Sequence, residues 1–186
     1  MKLLIIYGTD EEQIPKICKF LKEEAEKSHH EVELIKVSEN PQNPEDFDAI
    51  IVGSHLMKGK YHPSIQEYLQ SNTHKLNNTP GILLTVLDTE SEIENELKLI
   101  TDDFLRETGW QPDHVEHLTN MQDLKKPPRE IKPFKDRKKW LNSSKAKEYA
   151  HWEQVKEILG KLERGIEKAN SESCNAPEKS LPDHAG

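Results

Sequence analysis

Lys2-Leu3-Leu4-Ile5-Ile6-Tyr7-Gly8-Thr9-Asp10-Glu11-Glu12-Gln13-Ile14 opens the chain with an apolar strand that runs into a polar loop and, at once, a helix. A strand, a tight turn and a helix N-terminus together present free backbone N–H groups and the positive end of the helix dipole to an anion. Three acidic side chains, Asp10, Glu11 and Glu12, occupy this turn. They also read as charge complements to the helix start, which need no ligand.

Outward from this unit, strand and helix patterns alternate. Ile14, Ile17, Cys18, Leu21 and Ala25 recur at helical spacing, with Pro15 in the tolerated first turn. Val32 to Val37 alternates in part, as an edge strand does. Ala49-Ile50-Ile51-Val52-Gly53 and Gly81-Ile82-Leu83-Leu84-Thr85-Val86-Leu87 are continuous apolar runs, which suit central parallel strands buried on both faces. Pro63 starts a helix carrying Ile65, Tyr68 and Leu69. Thr89-Glu90-Ser91-Glu92 fits a capping box for a helix with Ile93, Leu97, Ile100 and Phe104 inward. A weaker strand follows over Val115 to Leu118, and the last helix carries Trp152, Val155, Leu159 and Leu162. Such repeats with short connections predict a three-layer α/β sandwich with a five-stranded parallel sheet of order 2-1-3-4-5. In that order the ligand lies beyond the carboxyl ends of strands one, three and four. The loops Gly8 to Ile14, Ser54 to His62 and Leu87 to Ser91 are therefore the candidate site.

With 186 residues and 33% apolar side chains, the chain is expected to form one domain, residues 1–169, followed by a disordered polar tail, 170–186. No apolar run is long enough to span a bilayer, and the chain starts in a strand without a secretory leader, so a cytoplasmic protein is expected. Cys18 falls on a helix face and Cys174 in the tail, which argues against a disulfide or a two-cysteine metal site. His114 and His117, three apart in a strand, point to opposite faces, and no metal site is expected. His29 and His30 read as surface residues in a turn.

Asn120 to Glu148, an insertion ahead of the last helix, holds ten Lys or Arg against four acids and so carries +6. Since the chain carries -8 in all, the remainder carries -14. The insertion reads either as a surface for an anionic substrate, lipid or partner, or as a solvated loop broken by Pro127, Pro128 and Pro133. Phe134 and Trp140 favour contact. Nucleic acid is not expected of so acidic a chain.

Gly53 followed by Lys58-Gly59-Lys60-Tyr61-His62, Gln66-Glu67, Trp110-Gln111-Pro112-Asp113, the insertion and Trp152-Glu153-Gln154-Val155 stand in an order that resembles the flavodoxin-like, menaquinone-dependent protoporphyrinogen oxidases of bacteria. The resemblance covers roughly residues 2 to 165. It implies a flavodoxin-like domain that binds FMN, oxidises protoporphyrinogen IX in heme synthesis and passes electrons to a membrane quinone, with peripheral contact to the anionic face of the inner membrane. The cofactor-binding candidates are Thr9, Asp10, Glu11, Glu12, Gln13 and Ile14 in the phosphate loop, and Ser54, His55, Tyr61, Thr85, Leu87 and Asp88 at the ends of strands three and four, with Tyr61 the candidate ring contact. The flavin would do the redox work, and no catalytic side chain is assigned.

The phosphate loop departs from the family pattern. Thr9 keeps the first hydroxyl, but Glu12 stands where a glycine is usual and Ile14 where a second hydroxyl is. A carboxylate about 6 Å from a phosphate charge, at an effective dielectric of roughly 40, costs about 1.4 kcal/mol per unit charge. Two further readings therefore stand beside the enzyme: a flavodoxin-fold binding or regulatory protein without flavin, and a general electron-transfer flavodoxin.

Overall fold

The computed structural model describes residues 1–8, 13–39, 43–87, 94–119 and 152–166. Five parallel strands, β1 (Lys2–Tyr7), β2 (Glu31–Lys36), β3 (Ala49–His55), β4 (Gly81–Leu87) and β5 (His114–Thr119), lie in the order β2-β1-β3-β4-β5. The helices are α1 (Gln13–Lys27), α2 (Pro63–Leu76), α3 (Glu94–Thr108) and α4, residues 152–166. This is the predicted architecture.

Strand alternation sorts the apolar runs into two cores. Leu3 and Ile5 of β1, with Ile51, Leu84 and Val86, pack under α1 and α4. Leu4 and Ile6, with Ile50, Val52 and Leu83, pack under α2 and α3. Both faces of β1, β3 and β4 are thus covered, which is why their sequences are apolar without interruption. On the first face α1 buries Ile14, Ile17, Cys18, Leu21 and Ala25, the five residues its periodicity selects. Fully burying each Ile or Leu is worth about 1.5–3 kcal/mol.

Register sets the strand ends. β2 pairs one for one with β1, from Lys2 with Glu31 to Tyr7 with Lys36, so it closes one residue before the expected Val37, which begins a 3-10 turn. β3 continues two residues past Gly53, because Ser54 and His55 pair with Thr85 and Val86. At the amino edge the Trp-Gln-Pro-Asp string has a packing role. A Cβ on Gly81 would lie 2.8 Å from Trp110 Cζ2, and Asp113 Oδ2 accepts the Gly81 amide at 2.7 Å.

Helix α1 ends in a left-handed residue, His29 (φ 62°), with His29 N–H on the Glu26 carbonyl and His30 N–H on that of Ala25. That is the Schellman arrangement, here without glycine. His30 then meets Glu163 of α4 at 2.8 Å, so it is engaged with a helix and not a free surface histidine. Lys156 to Glu24 at 3.2 Å and Lys161 to Glu116 at 2.7 Å also tie α4 down. Trp152 lies 4.5 Å from the Phe20 ring. Glu116 faces α4 while His117 lies on the α3 side, so the histidines of β5 diverge as expected. Among the described residues no group of His, Cys, Asp and Glu could hold a metal, and no helix is long and apolar enough to cross a membrane. The insertion, the tail and the capping box fall outside the described residues.

Candidate functional site at the carboxyl edge of the sheet

The ends of β1, β3 and β4 converge at one edge. Gly8 donates its amide to the Gly53 carbonyl at 3.3 Å, and Leu56 donates to Val86 at 3.0 Å. Strand order reverses here, between β1 and β3, and this switch point is where doubly wound sheets bind their ligands. Gly8 is required by close packing: a Cβ there would sit 2.3 Å from Ile65 Cγ1 and 3.4 Å from His62 Cβ. The first turn of α2 is thereby pressed against the β1 turn. His62 caps α2, its Nδ1 accepting the Ser64 amide at 3.3 Å.

Seven of the twelve sequence candidates lie in the described residues, and six of those are buried. Ile14, Ser54 and Thr85 have no exposed surface, and His55, Tyr61 and Leu87 have 4–6%. Ile14 packs in the core near Gly53, so its side chain is not at the phosphate. The Tyr61 ring is stacked on Phe104 at 4.0 Å and 20°. Its hydroxyl bonds Thr85 Oγ1 at 3.0 Å and Thr101 Oγ1 at 2.8 Å. Burial pushes the Tyr61 phenol up, and the two threonine bonds oppose this only in part. Tyr61 and Thr85 therefore form a buried clasp joining β4 to α3, with the Tyr61 hydroxyl engaged by both threonines. The cause is that β3 and β4 are buried through their last residues, His55 and Leu87, and that Tyr61 stacks on Phe104 of α3. Only Gln13, at the first position of α1, is a half-exposed candidate. Thr9, Asp10, Glu11, Glu12 and Asp88 lie outside the described residues.

Exposure begins one step further along the β3–α2 loop. Met57, Lys58, Gly59 and Lys60 are all exposed. Met57 N–H bonds the Lys60 carbonyl at 3.0 Å, and Lys60 N–H bonds that of Met57 at 2.9 Å. Lys58 (φ 50°) and Gly59 (φ 73°) both take left-handed conformations, which makes this a type I′ turn. The sequence places Lys58 to Lys60 in the candidate loop Ser54 to His62 and in a family string, but does not show the turn. The Gly59 signal was visible, but a lysine carries no mark of positive φ.

A family model described as a flavodoxin domain matches residues 4–121, more than half of the chain. The protoporphyrinogen IX dehydrogenase [quinone] of Escherichia coli K12 is 26% identical over 118 residues, 61% of this chain; the match spans 65% of that relative's length, just under two thirds of it. Oxidised flavodoxin 2 from Bacillus cereus superposes with a TM-score of 0.56 at 16% identity, over 89% of this chain and 99% of that one. Oxidised flavodoxin 1 from the same organism gives 0.52 at 12% identity, over 84% and 98%. On the strength of its sheet order and the match over residues 4–121, the chain belongs to the flavodoxin domain family.

Proposed function

We propose that this protein is an FMN-dependent oxidoreductase that oxidises protoporphyrinogen IX to protoporphyrin IX and passes the electrons to a quinone. Flavodoxin domains are FMN-binding domains, which makes FMN the cofactor of this family member. The observation that carries the reading is the family match together with the 26% identical dehydrogenase, whose named reaction is this one.

Helix α1 supplies the positive end of its dipole at Gln13, and its described first turn carries no acidic side chain; Asp10, Glu11 and Glu12, just before it, lie outside the described residues. The turn from Gly8 through Thr9, Asp10, Glu11 and Glu12 to Gln13 would hold the phosphate, largely through backbone amides. When bound, FMN supplies the electron transfer. The chain's own share is binding, orientation and exclusion of water, and the packed floor of Ser54, His55, Thr85 and Leu87 serves the last of these.

The test is FMN titration of the purified full chain by quenching of flavin fluorescence, followed by anaerobic oxidation of protoporphyrinogen IX with a quinone acceptor. FMN uptake with quinone-linked turnover supports the proposal. Uptake without turnover leaves an electron-transfer flavodoxin, and no uptake leaves the flavin-free binding protein. Glu12→Gly should tighten FMN; unchanged affinity would mean the phosphate binds elsewhere.

A further inference from the structure

The Met57–Lys60 turn has more exposed chemistry than its packing explains. Leu56 ties its first foot to β4 through the Val86 carbonyl, and Tyr61 ties its second through Thr85 and Thr101. Between these feet all four residues are exposed, and the two hydrogen bonds of the turn make it rigid. It leans on α3, since a Cβ on Gly59 would lie 3.5 Å from Ile100 Cδ1. Met57 is 51% exposed, and Leu99, next to Ile100, is 65% exposed. These are the exposed large apolar side chains among the described residues. Lys58 holds a conformation that costs a side-chain-bearing residue about 1–2 kcal/mol and that Asn or Gly adopts readily. Neither Lys58 nor Lys60 has an ion-pair partner among the described residues.

Two lysines with one residue between them, beside an exposed methionine at the carboxyl edge of the sheet, match a ligand with an apolar body and two neighbouring carboxylates. We propose that this turn receives the carboxylate edge of the tetrapyrrole: Lys58 and Lys60 take its two propionates, and Met57 lies against the ring. This rests on the protoporphyrinogen reading above. Anionic lipid is the poorer occupant, because two lysines are too few for stable attraction to a bilayer and one methionine adds little anchoring.

The test measures binding of protoporphyrin IX to the FMN-loaded full chain by porphyrin fluorescence, with FMN affinity measured separately. Lys58→Glu with Lys60→Glu should weaken porphyrin binding by about tenfold or more, about 1.4 kcal/mol, with FMN affinity unchanged. Lys19→Glu with Lys75→Glu, a matched charge change away from this edge, should leave it within about twofold. Lys58→Asn, which suits the turn and removes one charge, should keep the fold and still weaken binding. Equal porphyrin binding by the wild type and Lys58→Glu/Lys60→Glu overturns the proposal while leaving the enzyme reading intact. FMN binding with no porphyrin binding by the wild type overturns the substrate reading, and the turn's role with it. If the reversal abolishes sedimentation with phosphatidylserine vesicles and leaves porphyrin binding unchanged, the turn is a lipid contact and the proposal fails.

Discussion

Replacing Tyr61 by Phe removes one oxygen from the centre of the clasp and leaves the ring on Phe104 in place. Two buried partners lose their bond: Thr85, with no exposed surface, and Thr101, 3% exposed. A hydrogen bond of this kind is worth about 1 kcal/mol net, and an abandoned buried hydroxyl costs about 1–3 kcal/mol. Thr101 can turn to the carbonyl one helical turn back, which recovers part of its share. The expected loss is therefore about 2 kcal/mol, or about 4–8 °C in Tm for a domain of this size. Urea melts should show a lower midpoint with an unchanged slope. The pH dependence supplies a second check. Burial raises the folded-state pKa of Tyr61, so its contribution is fully present below the ordinary value of 10.0 and is lost as pH rises through the raised one. The gap between wild type and Tyr61→Phe should accordingly narrow above about pH 10. A loss below about 0.5 kcal/mol at neutral pH, or a gap that widens with pH, would refute the clasp. In a Thr85→Val background the Tyr61→Phe effect should shrink, since the shared bond is already gone.

Gly8→Ala should cost about 1–3 kcal/mol by driving a methyl into Ile65, and the Ile65→Ala background should reduce that cost in thermal melts. Cys18 is fully buried and its thiol is pushed up to about 12 by desolvation. In a Cys174→Ser background it should react with an aromatic disulfide near pH 8 only as fast as the fold opens, and a rapid burst would contradict its burial. Burial raises the Glu24 carboxyl, but hydrogen bonds from Lys27 and Lys156 outweigh it and hold it below 4.5. Glu24→Gln should cost under about 1 kcal/mol at neutral pH, and the difference should vanish in acid as pH falls through the lowered value.

The fold was legible because burial on both faces forces uninterrupted apolar runs, and those runs marked β3 and β4 almost to the residue. The inward face of α1 was legible for the related reason that Ile14 to Ala25 hold a strict helical period. The three loops at the sheet's carboxyl edge followed from the strand order. What the sequence hid was which side chains stop at the floor and which reach the mouth. Tyr61 looked like a ring contact because its partner Thr101 lies 40 residues away on α3, beyond any local pattern. His30 looked free for the same reason, with Glu163 lying 133 residues away. The turn at Lys58 was hidden because its backbone conformation contradicts its residue type.

The central position of β1 has a cost during synthesis. Leu3 to Ile6 leave the ribosome before both neighbours: the outer one, β2, ends at Lys36 and the inner one, β3, ends only at His55. At about 5–20 residues per second, β1 waits roughly 2–10 s for the strand that closes its second edge. During that interval a nascent chain displays four consecutive branched apolar residues beside an unpaired backbone. Slow translation before His55 should therefore favour association between chains, and a holdase bound to Leu3 to Ile6 would protect the yield.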